Sequence, residues 1–133
     1  MGRRALIVLD THAWVWWTAR PGGLSETARS AIERAEAVGV SPISCWEVAM
    51  LVAKKRLELD RDVLLWVRRA LARDRTHLLP VSPAVAVGAA KLPRTFHGDP
   101  ADRLIVATAL DAKAPLVTRD RRIHEARVLD AIW

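Results

Sequence analysis

The chain has 133 residues, a length that fits one domain spanning 1–133 with one ordinary core. Hydrophobic residues make up 51% of it, which excludes an intrinsically disordered chain, and no run approaches the roughly 20 apolar residues needed to cross a bilayer. A formal charge of +6 points to an anionic partner, most economically nucleic acid, while a single cysteine, Cys45, excludes an internal disulfide and fits a reducing, cytoplasmic setting.

No linker, repeat or low-complexity segment interrupts the chain. Arg3 and Arg4 precede the apolar run ALIVL, but Asp10 interrupts that run after five residues, so no secretory signal is expected. Residues 5–9 read as a first strand. A helix follows, with Asp10 or Thr11 as its N-cap and Trp14, Val15 and Trp17 on its body. Arg20-Pro21-Gly22-Gly23 is a turn signal. Ser25 then caps a helix to about residue 37, with Ala28, Ile32 and Ala35 at helical spacing.

Residues 38–42 form a short second strand. A helix over 43–56 has Ser44 as cap and Glu47 three residues on, the spacing of a capping box. Asp60 or Asp62 opens the next helix, whose face is Val63, Leu64, Val67, Ala70 and Leu71. Residues 77–81 read as a third strand, and Ser82-Pro83 starts a helix over 84–90. A loop over 91–98 leads to Asp99-Pro100, which opens a strong helix to about residue 113 with proline at its first position. Residues 115–118 are a fourth strand, 120–125 a turn or short helix, and 127–129 an edge strand. This alternation predicts an α/β chain with a central parallel sheet and helices on both faces.

Asp10, Glu47, Asp102 and Asp120 each end or follow a short apolar run, where a helix begins. In a parallel sheet such positions gather at one edge, where ligands bind. Each has a plain reading as a capping or first-turn acid. Taken together they do not scatter as caps would, and carboxylates gathered at one edge repel unless a cation sits among them. Mg²⁺ or Mn²⁺, hard ions that take oxygen ligands, is the expected cofactor.

Four segments then carry a resemblance: LIVLDTHAWVWW at 6–17, SPISCWEVAMLVAKKRLEL at 41–59, HGDPADRLIVATAL at 97–110 and PLVTRD at 115–120. In order and spacing they resemble a PIN domain, and within that family the ribonuclease toxins of VapC type, over essentially the whole chain. The resemblance implies an α/β/α sandwich around about five parallel strands and Mg²⁺- or Mn²⁺-dependent cleavage of RNA. It places the family's acidic site on Asp10, Glu47, Asp102 and Asp120. Asp99 matches a frequent extra acid, Thr118 a hydroxyl near the metal, and Thr11 is a further candidate of that kind. It also implies a homodimer and a cognate antitoxin whose arginine or lysine displaces the metal.

Asp10, Asp102 and Asp120 are the expected metal ligands, with Glu47 binding through water or orienting the attacking water. Arg119, Arg121, Arg122 and Arg103 are the expected RNA contacts, whereas Arg68, Arg69, Arg73 and Arg75 read as a solvated helix face. His12 and His97 read as structural or solvent-facing. Trp14, Trp16 and Trp17 cannot share one helix face, so some must reach the surface or a partner, while at least two of the six tryptophans belong to the core. The competing reading is a non-catalytic basic RNA-binding or protein-interaction domain whose acids are helix caps. A phosphatase or phospho-acceptor domain fits poorly, because Thr11-His12 follows Asp10 where a paired acid would stand. A nuclease for DNA ends or flaps is a further alternative, for which the short chain offers little room for elements that grip a duplex.

Overall fold

The computed structural model describes residues 5–133, so Arg3 and Arg4 lie outside the described residues. Five strands pair in the order β3-β2-β1-β4-β5, every pair parallel. They are β1 (Leu6–Leu9), β2 (Ala37–Val40), β3 (Thr76–Leu78), β4 (Leu116–Val117) and β5 (Ala131–Ile132). The helices are α1 (Thr11–Ala19), α2 (Glu26–Arg34), α3 (Pro42–Ala53), α4 (Val63–Leu71), α5 (Pro83–Ala90), α6 (Pro100–Asp111) and α7 (Arg121–Ala126), with a 3₁₀ turn over Pro21–Gly23.

Strand alternation divides the core between two faces. Ile7, Leu9, Val38, Val40 and Val117 pack with Trp14, Ala28, Ile32, Val48, Trp66 and Val67 on one side. Val8 and Leu116 pack on the other with Ile105, Val106, Ala109 and Ile123. Sheet residues are thus covered on both faces, which is why β1 reads as a continuous apolar run. The α/β/α sandwich expected from the sequence is the one observed.

Several boundaries differ from the sequence reading, each for a local reason. Helix α3 starts at Pro42 and is capped by Ser41, whose Oγ accepts from the Ile43 amide at 3.2 Å. Proline has no N–H to satisfy at a helix start, so it takes the first position and pushes the cap forward of Ser44. Ser44 is fully buried inside the helix. Helix α2 stops at Arg34, and residue 37 already belongs to β2.

Strand β3 ends at Leu78, ahead of Pro80, and β5 lies at Ala131–Ile132 rather than over 127–129. Arg127 is left-handed, with φ 54°, and closes α7, so the strand forms after it. On α4, Leu64 is 53% exposed and Trp66 takes the buried place assigned to it. Trp14 and Trp66 meet edge to face at 5.2 Å in the core, whereas Trp16 and Trp17 are half-buried, as three tryptophans around one helix require; Trp46, on α3, is exposed.

Candidate metal centre

Because all strands run the same way, their C-terminal ends share one edge, and β1 lies between β2 and β4. Asp10 leaves β1 there, Ser41 leaves β2, and Thr118 leaves β4. Helix α6 brings Asp102 to the same edge on its first turn. Glu47 stands six residues after the Ser41 cap, about 9 Å along α3 by helical rise. The result is a cavity of about 560 Å³ lined by Asp10, Thr11, His12, Trp16, Glu47, Asp99, Asp102, Arg119, Asp120 and Arg122.

Three of these acids are helix caps and pocket residues at once. Asp10 Oδ1 accepts from the Ala13 amide at 2.8 Å, Asp99 Oδ1 from Ala101 at 2.9 Å, and Asp120 Oδ1 from Arg122 at 2.9 Å. Each of these caps uses Oδ1; in Asp120, Oδ2 is also engaged, by the Arg122 guanidinium at 3.2 Å. Glu47 is not part of a capping box: its Oε1 takes the Thr11 hydroxyl, which also lies 3.0 Å from Ser44 Oγ. Thr118, fully buried, hydrogen-bonds to Asp10 and receives the Asp120 amide at 3.1 Å. It therefore fixes two acids of the pocket relative to each other.

The electrostatics show an acidic site short of positive charge. Burial pushes the Asp10 carboxyl up from its ordinary value, offset in part by Thr118 and the Ala13 amide. Burial also raises Glu47; the Thr11 hydroxyl opposes this, and the charges of Asp102 and Asp99 add to it. Asp102 is raised by burial too, against the hydrogen bond from His97. Asp120 differs. Burial would raise it, but the side chain and amide of Arg122 hold it below the usual carboxylate range.

His97, expected to be structural or solvent-facing, stands against Asp102. Its Nε2 lies 2.7 Å from Asp102 Oδ2, and one ligand atom each of His97, Asp102 and Asp120 fall within 4.8 Å of one another. Asp10 and Glu47 line the same pocket outside that tight group. The signal was the short spacing from His97 to Asp102 across the loop that enters α6. Arg122 completes the local picture, 3.2 Å from Asp120 Oδ2 and 3.8 Å from Asp102 Oδ2.

The donor set fits a hard divalent cation. It offers carboxylate oxygens from four chain segments, three of them raised above the ordinary carboxylate range by an unfavourable setting for negative charge. Among the expected RNA contacts, Arg119 and Arg122 line the pocket, and Arg121 is exposed at the start of α7 outside that lining. Arg103 must be reassigned. Its guanidinium donates to the carbonyls of Ala89, Leu92, Phe96 and His97, so it ties the 91–98 loop to α6. Adjacent helix residues diverge by about 100°, which turns Arg103 away from the pocket that Asp102 faces.

Comparison with known proteins gives the family and the fold. Ribonuclease VapC22 of Mycobacterium tuberculosis is 43% identical over 121 residues, covering 91% of this chain and 92% of the relative. A solved chain of VapBC2 from Rickettsia felis, bound to promoter DNA, superposes with a TM-score of 0.69 at 16% identity, covering 95% of this chain and 96% of its own. FitAcB from Neisseria gonorrhoeae gives 0.64 at 24% identity, over 94% and 95%. At those identities the two structures share the fold. The sequence profile of the PIN domain matches residues 7–129, nearly the whole length, and the chain therefore belongs to the PIN-domain family.

Proposed function

We propose that this protein is an endoribonuclease that hydrolyses RNA phosphodiester bonds at the carboxylate pocket with Mg²⁺ or Mn²⁺, acting in the cytoplasm as the toxin of a toxin–antitoxin pair. The observation that carries the reading is the convergence of Asp10, Glu47, Asp102 and Asp120 on one pocket with Arg119 and Arg122. The 43% identity to a protein named a ribonuclease supports it.

Asp10, Asp102 and Asp120 would hold the cation directly or through water, with Asp99 beside them. A divalent cation there supplies a lowered pKa for water and neutralises charge on the phosphate. Glu47 has Oε1 engaged by Thr11, which leaves Oε2 to orient the attacking water and accept its proton. Its raised pKa suits a proton acceptor better than an ordinary carboxylate would. Arg119 and Arg122 bind phosphate oxygens, and Thr118 keeps Asp10 and Asp120 in place.

A cognate antitoxin is the expected protein partner, since solved neighbours include toxin–antitoxin complexes. An antitoxin arginine or lysine reaching the carboxylates would take the cation's place. A second copy of the chain is also expected: the mass in solution, by light scattering, should be twice 14.8 kDa, and a single-chain mass would remove the homodimer.

The competing reading, a basic binding domain whose acids are caps, draws on the capping bonds of Asp10, Asp99 and Asp120. Cleavage of total RNA by wild type and Asp10→Asn, each with Mg²⁺, Mn²⁺ or EDTA, separates the two. The asparagine side chain retains the capping oxygen and loses the charge. The nuclease reading expects metal-dependent cleavage by wild type and a loss of about a hundredfold or more in the variant. Equal activity of the two proteins would sink it.

A further inference from the structure

We propose that the cavity beside the carboxylate pocket is a channel for the single-stranded RNA segment flanking the scissile bond, with Trp16 as the surface on which its first base stacks. The proposal rests on the ribonuclease reading above and extends it to how the substrate is held. This second cavity, about 1110 Å³, lies among α1, α3, α4 and the 54–62 loop. His12 and Trp16 line both cavities, so the two are continuous across one aromatic edge.

The charge of the two cavities is opposite. The carboxylate pocket sets five acids against two arginines. The neighbouring channel sets Arg20, Lys55, Arg56, Arg61, Arg69 and Arg73 against Glu58 and Asp60. Arg61 is paired with Asp60, and Arg73 is fixed over the Trp17 ring at 3.8 Å. Arg20, Lys55 and Arg56 have no ion pair among the described residues and face the channel with exposed side chains. A polyanion whose scissile phosphate sits at the carboxylates has to leave an acidic pocket, and the cationic channel is the continuous path out.

The aromatic edge is built for contact. The Trp16 ring lies 5.6 Å from His12 and 5.5 Å from Trp133, centroid to centroid. Gly23 closes against it: a Cβ at that position would come 2.6 Å from the ring, so a side chain there would displace the indole. Alternating cationic contacts and an aromatic platform is the pattern by which proteins grip single strands without reading their sequence.

The test uses the folded Asp10→Asn protein, which keeps RNA intact, with fluorescently labelled RNAs of mixed sequence, four and twelve nucleotides long. On that background, Arg20→Ala with Arg56→Ala should weaken binding of the long RNA roughly tenfold. It should also lower the slope of log affinity against log salt by about 1.4, two phosphate contacts at about 0.7 each. Trp16→Leu should weaken the same RNA roughly tenfold with the slope retained. The short RNA, which fills only the carboxylate pocket, should bind the Arg20→Ala with Arg56→Ala protein as it binds the parent, since neither arginine lines that pocket.

Unchanged affinity and slope for the long RNA in well-folded variants would overturn the channel. So would a result in which the variants lose only an acidic peptide and keep RNA, which would make the groove a protein-docking surface. Failure of the underlying reading shows separately, as wild type that cleaves no RNA with either metal; the channel falls with it.

Discussion

Asp10 does two things with one carboxylate, and they pull on stability in opposite directions. As the cap of α1 it satisfies the Ala13 amide, a contribution of about 1 kcal/mol. As a buried negative charge near Asp102 it is held above its ordinary pKa. Glu47 and Asp102 share that direction. Between the ordinary carboxylate range and these raised values, the folded chain binds more protons than the unfolded one. Stability of the metal-free protein therefore falls as pH rises through that window and recovers as pH drops. Asp120 contributes the reverse sign, being lowered, but it is one group against three. Replacing Asp10 with asparagine keeps the capping oxygen and removes a charge. Metal-free Asp10→Asn should accordingly melt above wild type at neutral pH, by the equivalent of about 0.5–2 kcal/mol, with the gap closing in acid. Calorimetry across pH checks this, and a variant that melts lower than wild type at neutral pH would show that the Asp10 charge stabilises the metal-free fold, against the direction argued here.

At the scale of elements, periodicity and punctuation made most of the sandwich legible. Strand β1 is a short buried run ended by an acid, α6 starts on Asp99-Pro100, and both were readable because their signals are local. What was hidden depended on competition between neighbours. Two serines, Ser41 and Ser44, each offered a cap for α3, and Pro42 decides between them because it has no amide to give. The capping-box reading of Glu47 fails with that shift, and Glu47 becomes a pocket residue bonded to Thr11, 36 positions away in the chain. Strand β5 has two residues, and its place is set by pairing with β4 rather than by its own pattern. Arg73 and Arg75, read as a solvated face, are partly spent on structure: Arg73 donates to the Trp17 carbonyl, Arg75 to those of Ile32 and Ala35. Such staples are set by tertiary neighbours and leave no spacing signal.

At the scale of the whole molecule, the +6 total was visible at once, but its partition was not. Arg20 ends α1, Lys55 and Arg56 follow α3, and Arg69 lies on α4; packing of those helices gathers them beside an acidic pocket. Asp10 and Asp120 were legible because each caps a helix just past a strand and Asp102 because it follows Asp99-Pro100 at a helix start, whereas Glu47 lies mid-helix and His97 sits in a loop beside Asp102. The pocket's excess of carboxylate is a standing cost of the metal-free fold, and a cation that neutralises it binds the folded chain far better than the unfolded one. By mass action, Mg²⁺ at about a hundred times its dissociation constant should stabilise the fold by about 2.7 kcal/mol. The gain should be greatest at neutral pH, where the carboxylates are ionised, and should fade in acid as Asp10, Glu47 and Asp102 take up protons. Asp102→Asn should lose most of it, since that residue lies in both the pocket and the tight group with His97 and Asp120. Thermal melting with Mg²⁺, Mn²⁺ and EDTA reads this without any RNA present. A wild-type melting curve indifferent to both ions at neutral pH would remove the metal from the site and leave the acids as caps.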